Sequence, residues 1–174
     1  MVYQNTPAVK HLAAACALNN RAKIEFSSKK NAFQIMGSPT DGAIKVLAEK
    51  IGKYDINAPT ATSNAKRSPM SFADFTAKKL TEVAVLDFSS QRKCMSTIYK
   101  NYPGSPGNTV FSKGAPERMI ERCTQYYRDG SIVEFLNNEV REQLNNTIKN
   151  EASKGFRVLG LAVKIDEQET TRMD

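Results

Sequence analysis

The sequence predicts an α/β domain of the α+β kind, built on a mainly antiparallel twisted sheet flanked by helices. Three observations lead there. Short runs with a β-branched and aromatic bias recur at residues 22–26, 32–36, 82–88, 94–99 and 109–111. Between them, apolar residues recur at helical spacing in several stretches. The polar connections at residues 27–31 and 89–93 suit antiparallel hairpins.

Composition sets the bounds. A length of 174 residues fits one domain able to close its own core, and 40% hydrophobic with 25% charged residues is ordinary for a globular protein. A single domain over residues 1–174 is therefore expected, as a monomer. No apolar run approaches the roughly 20 residues that span a bilayer, and the N-terminus lacks a basic segment followed by an apolar one, so a soluble chain without a signal peptide is expected. Cys16, Cys94 and Cys123 are far apart and lack metal-ligand spacing, which suits free thiols in a reducing compartment and argues against a zinc site. The net charge of +7 favours anionic partners but does not choose among nucleotides, nucleic acids and membrane surfaces.

The elements follow in order. Thr6 is a candidate N-cap with Pro7 in the first helical position, and Val9, Leu12, Ala13, Cys16 and Ala17 form the apolar stripe of a helix that stops at Asn19 and Asn20. His11, the only histidine, lies off the stripe and is expected at the surface. Residues 22–26 and 32–36 read as paired strands. Ser38, Pro39 and Asp41 open a second helix as a capping box, with Ala43, Ile44, Leu47, Ala48 and Ile51 buried and Gly52 at its end. Residues 55–67 are rich in Asn, Thr, Ser, Pro and Ala and read as a mobile internal loop, after which Ser68 and Pro69 begin a short helix carrying Phe72, Phe75 and Leu80.

The centre of the sheet is expected in the strands 82–88 and 94–99. A loop with Pro103, Gly104, Pro106 and Gly107 leads to residues 109–111 and then to Lys113, Gly114, Ala115, Pro116 and Glu117, which read as a strand-to-helix turn. There Gly114 would admit a backbone or a flat ligand, the helix start would offer unpaired N–H groups, and Lys113 would add a cation, a combination suited to a phosphorylated ligand. A plain strand-turn-helix with a solvated lysine fits the same five residues. Asp129 and Gly130 mark a tight turn beside Tyr126 and Tyr127, ahead of an apolar cluster at residues 133–136. Val140, Leu144, Ile148 and Ala152 form the stripe of a long helix that Gly155 can end, before a strand at 156–164 and a frayed polar tail at 166–174. Neither G-x-x-x-x-G-K-[ST] nor G-x-G-x-x-G occurs anywhere in the chain.

Three pieces nevertheless share one context: Asp87-Phe88-Ser89 with Arg92-Lys93-Cys94-Met95-Ser96, the Lys113 to Glu117 run, and Gly155-Phe156-Arg157-Val158-Leu159. Their order and spacing resemble the nucleotide-binding domain of P-type cation-transporting ATPases, and most of all that of sarco/endoplasmic-reticulum calcium pumps. The Cys-Ala-Leu-rich stretch at residues 15–20 and the Gly-x-x-Thr-Asp-x-Ala pattern from Gly37 to Ala43 extend the resemblance over nearly the whole chain.

The resemblance implies roles. Phe88 matches the aromatic residue that stacks on adenine, Lys113 the lysine lining the pocket, and Gly114 and Ala115 the small residues beside it. Lys93 and Arg157 match cations reaching toward the phosphates, and Leu159 an apolar wall of the adenine slot. Thr40 and Asp41 fall in the helix motif, where Asp41 stands for the glutamate that accepts from the adenine amine and is one methylene shorter. Ser90 replaces the arginine common in that family's Phe-Ser-Arg stretch. An adenine needs an aromatic face and an apolar wall, and a triphosphate needs Lys or Arg at its other end, so the residue types agree with this assignment.

The family's Asp-Lys-Thr-Gly-Thr, Thr-Gly-Glu-Ser and Gly-Asp-Gly motifs do not occur in these residues. The resemblance therefore implies an excised nucleotide-binding domain that takes ATP, ADP or AMP and presents ATP to phosphorylation and actuator domains of a longer membrane pump, on the cytosolic face of the endoplasmic reticulum, with Mg2+ bound in the full-length pump. A basic nucleic-acid-binding module is the alternative from another class. Against it, the lysines and arginines are dispersed and no aromatic-basic stripe is present, so no nucleic acid is expected as partner. An interaction scaffold docking a regulator at residues 55–67 is a third reading.

Overall fold

The computed structural model describes residues 6–52 and 71–166. The chain divides into two units, Met1–Thr81 and Glu82–Asp174. The expected loop at 55–67, the helix start at Ser68 and Pro69, and the tail beyond Asp166 lie outside the described residues.

In the first unit, helix α1 (Pro7–Leu18) begins with proline in its first turn and Thr6 in extended conformation before it; the Thr6 side chain makes no capping hydrogen bond. The expected stripe holds only for the first half of the helix. From Ala13 to Leu18 every residue is buried, because α2 (Pro39–Gly52) and α3 (Phe72–Lys78) both pack against α1 and its alanines let them approach closely. His11 is half-buried rather than on the surface, and burial pushes its pKa below the usual histidine value. Asn20 ties the elements together: its Nδ2 donates to the carbonyls of Cys16 at 3.2 Å and Asp41 at 2.8 Å, while its Oδ1 accepts the Ala22 N–H at 2.8 Å.

Strands β1 (Lys23–Ser27) and β2 (Ala32–Met36) pair antiparallel, with Phe26 opposite Phe33 in an edge-on ring contact at 5.3 Å. The buried side of α2 consists of Gly42, Ile44, Ala48 and Gly52; Ala43 and Leu47, expected inside, are exposed. The shift follows from small residues facing bulky neighbours. A Cβ on Gly42 would lie 2.4 Å from Ile35, and one on Gly52 would lie 2.2 Å from the Phe72 ring. Helix α3 starts at Phe72 with Ser71 as N-cap, its side chain accepting from the Asp74 N–H. Glu49 completes the cap from α2, its two carboxylate oxygens accepting from Phe72 N–H at 2.8 Å and Ala73 N–H at 3.1 Å.

In the second unit, β3 (Thr81–Leu86), β4 (Cys94–Lys100), β5 (Thr109–Gly114) and β8 (Gly160–Ile165) form a sheet in the order β3-β4-β5-β8. The strand expected at 82–88 is thus an edge of this sheet, not its centre, and it stops at Leu86; the strand expected at 156–164 starts only at Gly160. Tyr99 of β4 donates to Glu82 of β3 at 2.8 Å. One face carries Met95, Thr97 and Tyr99 of β4 alongside Thr109, Phe111 and Lys113 of β5, all six buried. Phe111 is fully buried, with the rings of Tyr99 and Tyr102 at its edges, a burial worth about 1.5–3 kcal/mol. Burial, followed by the charge of Tyr127, pushes the Tyr102 pKa up to about 12.

Helix α4 (Pro116–Arg122) lies on the other face of the sheet, where Met119 and Pro116 close over Gly160 and Arg122 donates to the Cys94 sulfur at 2.9 Å. A separate hairpin, β6 (Gln125–Arg128) with β7 (Ile132–Phe135), turns through Asp129 and Gly130, both at positive φ. Helix α5 (Asn138–Ser153) is capped by Asn137 and closed by Gly155 at φ 86°, with Gly155 N–H bonded to Ala152 O and Phe156 N–H to Glu151 O. Its expected stripe is only half-buried at Val140, Leu144 and Ile148, and Ala152 is exposed. Arg141 of α5 donates to the carbonyls of Ile120 and Cys123, satisfying the end of α4. Asp166, expected to begin the frayed tail, is tied down through its N–H to Asn108 O at 3.1 Å.

Candidate functional site

Strand order and direction bring three stretches to one end of the four-stranded sheet. Strand β3 ends at Leu86, β4 begins at Cys94, β5 ends at Gly114 and β8 begins at Gly160; Cys94 and Gly160 are both register partners of Gly114. The 87–93 connection and the 156–159 lead-in to β8 therefore flank the end of β5 and Ala115. These are the three pieces that the sequence singles out.

Phe88 follows β3 and is 60% exposed. The connection then folds into a tight loop: Lys93 N–H donates to Ser89 O at 2.8 Å, Arg92 N–H to Ser89 Oγ at 3.1 Å, and the Arg92 guanidinium to Asp87 O. Lys93 sits at φ 54°, a left-handed conformation that costs a lysine roughly 1–2 kcal/mol. Its side chain is exposed and its carbonyl points the other way, accepting the Ala115 N–H at 3.0 Å.

That carbonyl explains Gly114. A Cβ there would lie 2.3 Å from Lys93 O and 2.7 Å from both Cys94 Cα and Cβ. The close approach expected at Gly114 is thus made by the protein's own backbone. The turn is also tighter than the sequence suggests, since Lys113 and Gly114 still belong to β5 and Ala115 is the N-cap of a helix of seven residues. Lys113 is 8% exposed, between register partners Met95 and Leu161, so a lysine solvated at a turn is excluded. Its stem runs with the buried face of the sheet. Arg157 is exposed and Leu159 half-buried, both in the 156–159 stretch ahead of β8.

Thr40 and Asp41 lie in the other unit, in the first turn of α2. Both are half-buried, and the Asp41 carboxylate accepts the Arg21 N–H at 3.4 Å. Among the described residues, no group of three or more His, Cys, Asp or Glu side chains could hold a metal ion, and no helix is long and apolar enough to cross a membrane. Two features went unread in the sequence. The left-handed Lys93 has no local signal, because Asn or Gly would be the residue to mark it. Gly160 looks like an ordinary strand glycine until α4 is seen to rest on it.

The arrangement defines an α+β domain, antiparallel sheets flanked by helices, with an exposed aromatic ring and several cations presented at one sheet end. The family described as P-type ATPase, cytoplasmic domain N, matches residues 8–174, and the chain belongs to it. It is 30% identical over 91% of its length to calcium-transporting ATPase 3, endoplasmic reticulum-type, of Arabidopsis thaliana, and 34% identical over 88% to calcium-transporting ATPase 2 of the same type and organism. It is 31% identical over 88% of its length to the endoplasmic reticulum calcium ATPase srcA of Aspergillus fumigatus. The chain spans 16%, 15% and 16% of these relatives, respectively.

Proposed function

We propose that this chain binds ATP for a P-type calcium-transporting ATPase of the endoplasmic reticulum membrane. In this reading it presents ATP to a phosphorylation domain elsewhere in the pump, for aspartyl phosphorylation that drives calcium transport. Phe88 stacks on adenine with Leu159 as the apolar wall, and Gly114 and Ala115 are the small residues beside Lys113. Lys113 borders the slot, and Lys93 and Arg157 meet the phosphates. Mg2+ would arrive with the triphosphate and be held in the wider pump. The observation that carries the reading is the meeting of the 87–93, 113–115 and 156–159 stretches at one sheet end, with an exposed aromatic ring and exposed cations among them.

The residue types support this reading, since an aromatic and an apolar side chain suit a base and lysine and arginine suit phosphates. The chain carries no Asp-Lys-Thr-Gly-Thr motif, so it is proposed to bind ATP, ADP and AMP without hydrolysing ATP. A dissociation constant on the order of 0.1 to 1 mM is expected for a site open on one side. Calorimetric titration with all three nucleotides tests the reading. Phe88→Ala should weaken AMP and ATP alike, by roughly 1–3 kcal/mol as for other base-aromatic stacks, whereas Arg157→Ala should weaken ATP far more than AMP. Equal losses for every nucleotide in both variants would refute the assignment of the two ends.

A further inference from the structure

We infer that Arg92 is a positioning residue for the Phe88 ring and not a cation for the phosphates, an inference that rests on the nucleotide reading above. Arg92 adjoins Lys93 in the chain and carries the same charge. Its guanidinium is turned back onto the main chain and donates to Asp87 O. Its own N–H holds Ser89 Oγ at 3.1 Å, and the next N–H, that of Lys93, holds Ser89 O at 2.8 Å.

Phe88 is the residue between these two fixed points. With 60% of its surface exposed, little packing orders it, and the hydrogen bonds on either side fix the backbone from which its ring projects. The carbonyl before the ring is clipped by the guanidinium, and the carbonyl and hydroxyl after it are clipped by the backbone of residues 92 and 93. A ring held in advance does not have to be ordered when the base arrives, and that saving is the same for every adenine nucleotide whatever its phosphate number. The planar fork of arginine suits a carbonyl reached across five residues; a lysine ammonium keeps the charge but not that geometry.

The test uses the 174-residue chain with Arg92→Ala and Arg92→Lys, titrated with AMP, ADP and ATP. Both variants should lose affinity for all three by one common factor, about 3- to 10-fold, with the lysine giving no rescue. In parallel, 4-fluorophenylalanine is incorporated and the 19F signal of position 88 assigned by its loss in Phe88→Leu. Without nucleotide, that signal should narrow and move toward the free amino acid in both Arg92 variants while the melting temperature stays close to that of the unsubstituted chain. A loss confined to ATP, restored by lysine, would make Arg92 a phosphate cation and overturn the inference. So would unchanged affinities, or an unchanged 19F signal. Absence of saturable binding by the unsubstituted chain would instead overturn the nucleotide reading, and the nucleotide-free 19F comparison would still decide whether Arg92 orders the ring.

Discussion

The carbonyl of Lys93 accepts the N–H of Ala115 at 3.0 Å across the space left by the missing side chain of Gly114. One hydrogen bond thus joins the loop that carries Phe88 to the end of the strand that carries Lys113. Whatever binds at this sheet end meets two stretches, 22 residues apart at this bond, held as one surface.

Gly114→Ala should break that junction. The added methyl would meet backbone atoms of Lys93 and Cys94, which cannot swing aside, so a loss of about 1–3 kcal/mol is expected, with a lowered melting temperature in calorimetry. Gly160→Ala should also destabilise, since its methyl would lie 2.6 Å from Met119 Cγ, 2.7 Å from Met119 Cβ and 3.0 Å from Pro116 Cα. If Gly114→Ala proved as stable as the parent, the close approach would not be what requires glycine.

Lys93 separates stability from binding. Lys93→Ala keeps the strained φ and removes the ammonium; Lys93→Gly removes both. The glycine variant should be more stable than the alanine variant by about 1 kcal/mol, less whatever the freer unfolded chain takes back. Both should lose ATP affinity to the same extent. Denaturant melts and ATP titrations on the pair check this, and a binding difference between them would show that backbone conformation, not the ammonium, serves the ligand.

Lys113 is a test of the stem against the charge. With 8% exposure, its aliphatic chain is part of the buried face, so Lys113→Ala should cost about 1–3 kcal/mol of folding stability, well above the few tenths typical of a solvated lysine. Lys113→Met, which keeps the stem, should melt close to the parent and still lose nucleotide affinity. Equal nucleotide binding by parent and Lys113→Met would remove the charge from the proposed site.

His11 gives a pH signature because it is the chain's only histidine. Burial lowers its pKa in the folded state, so the unfolded chain binds its proton more readily. Its contribution to stability is complete above the unfolded value near 6.5 and is lost as pH falls through the lowered folded value. Melting temperatures measured from about pH 7.5 down to about 5, a window that contains the unfolded value, should fall faster for the parent than for His11→Gln. Parallel curves would place His11 in a solvent-like setting.

Much of this was legible in advance, for reasons that differ by residue. Pro7, Pro39 and Pro116 mark helix starts locally, and Gly155 marks an end, so those boundaries could be read from short patterns. Which side of α2 is buried could not, since Ala43 and Gly42 differ by one methyl, and the choice is made by Ile35 on another element. Strand 82–88 read as central because its valines alternate, but edge and centre differ in what lies beside a strand, not in the strand itself. At the candidate site, residue types were visible while directions were not. The exposed ring of Phe88 and the buried stem of Lys113 reverse the usual placement of phenylalanine and lysine.

The Glu49 cap has a consequence for the length of chain that joins α2 to α3. Gly52 and Phe72 touch, and the carboxylate of Glu49 grips the first two N–H groups of α3, so both ends of the connection are brought together by contacts outside it. The entropy of closing such a connection grows only with the logarithm of its length, about 0.6 kcal/mol per doubling. The contacts that hold α2 to α3 are thus made outside the connection, and a change in its length would leave them in place.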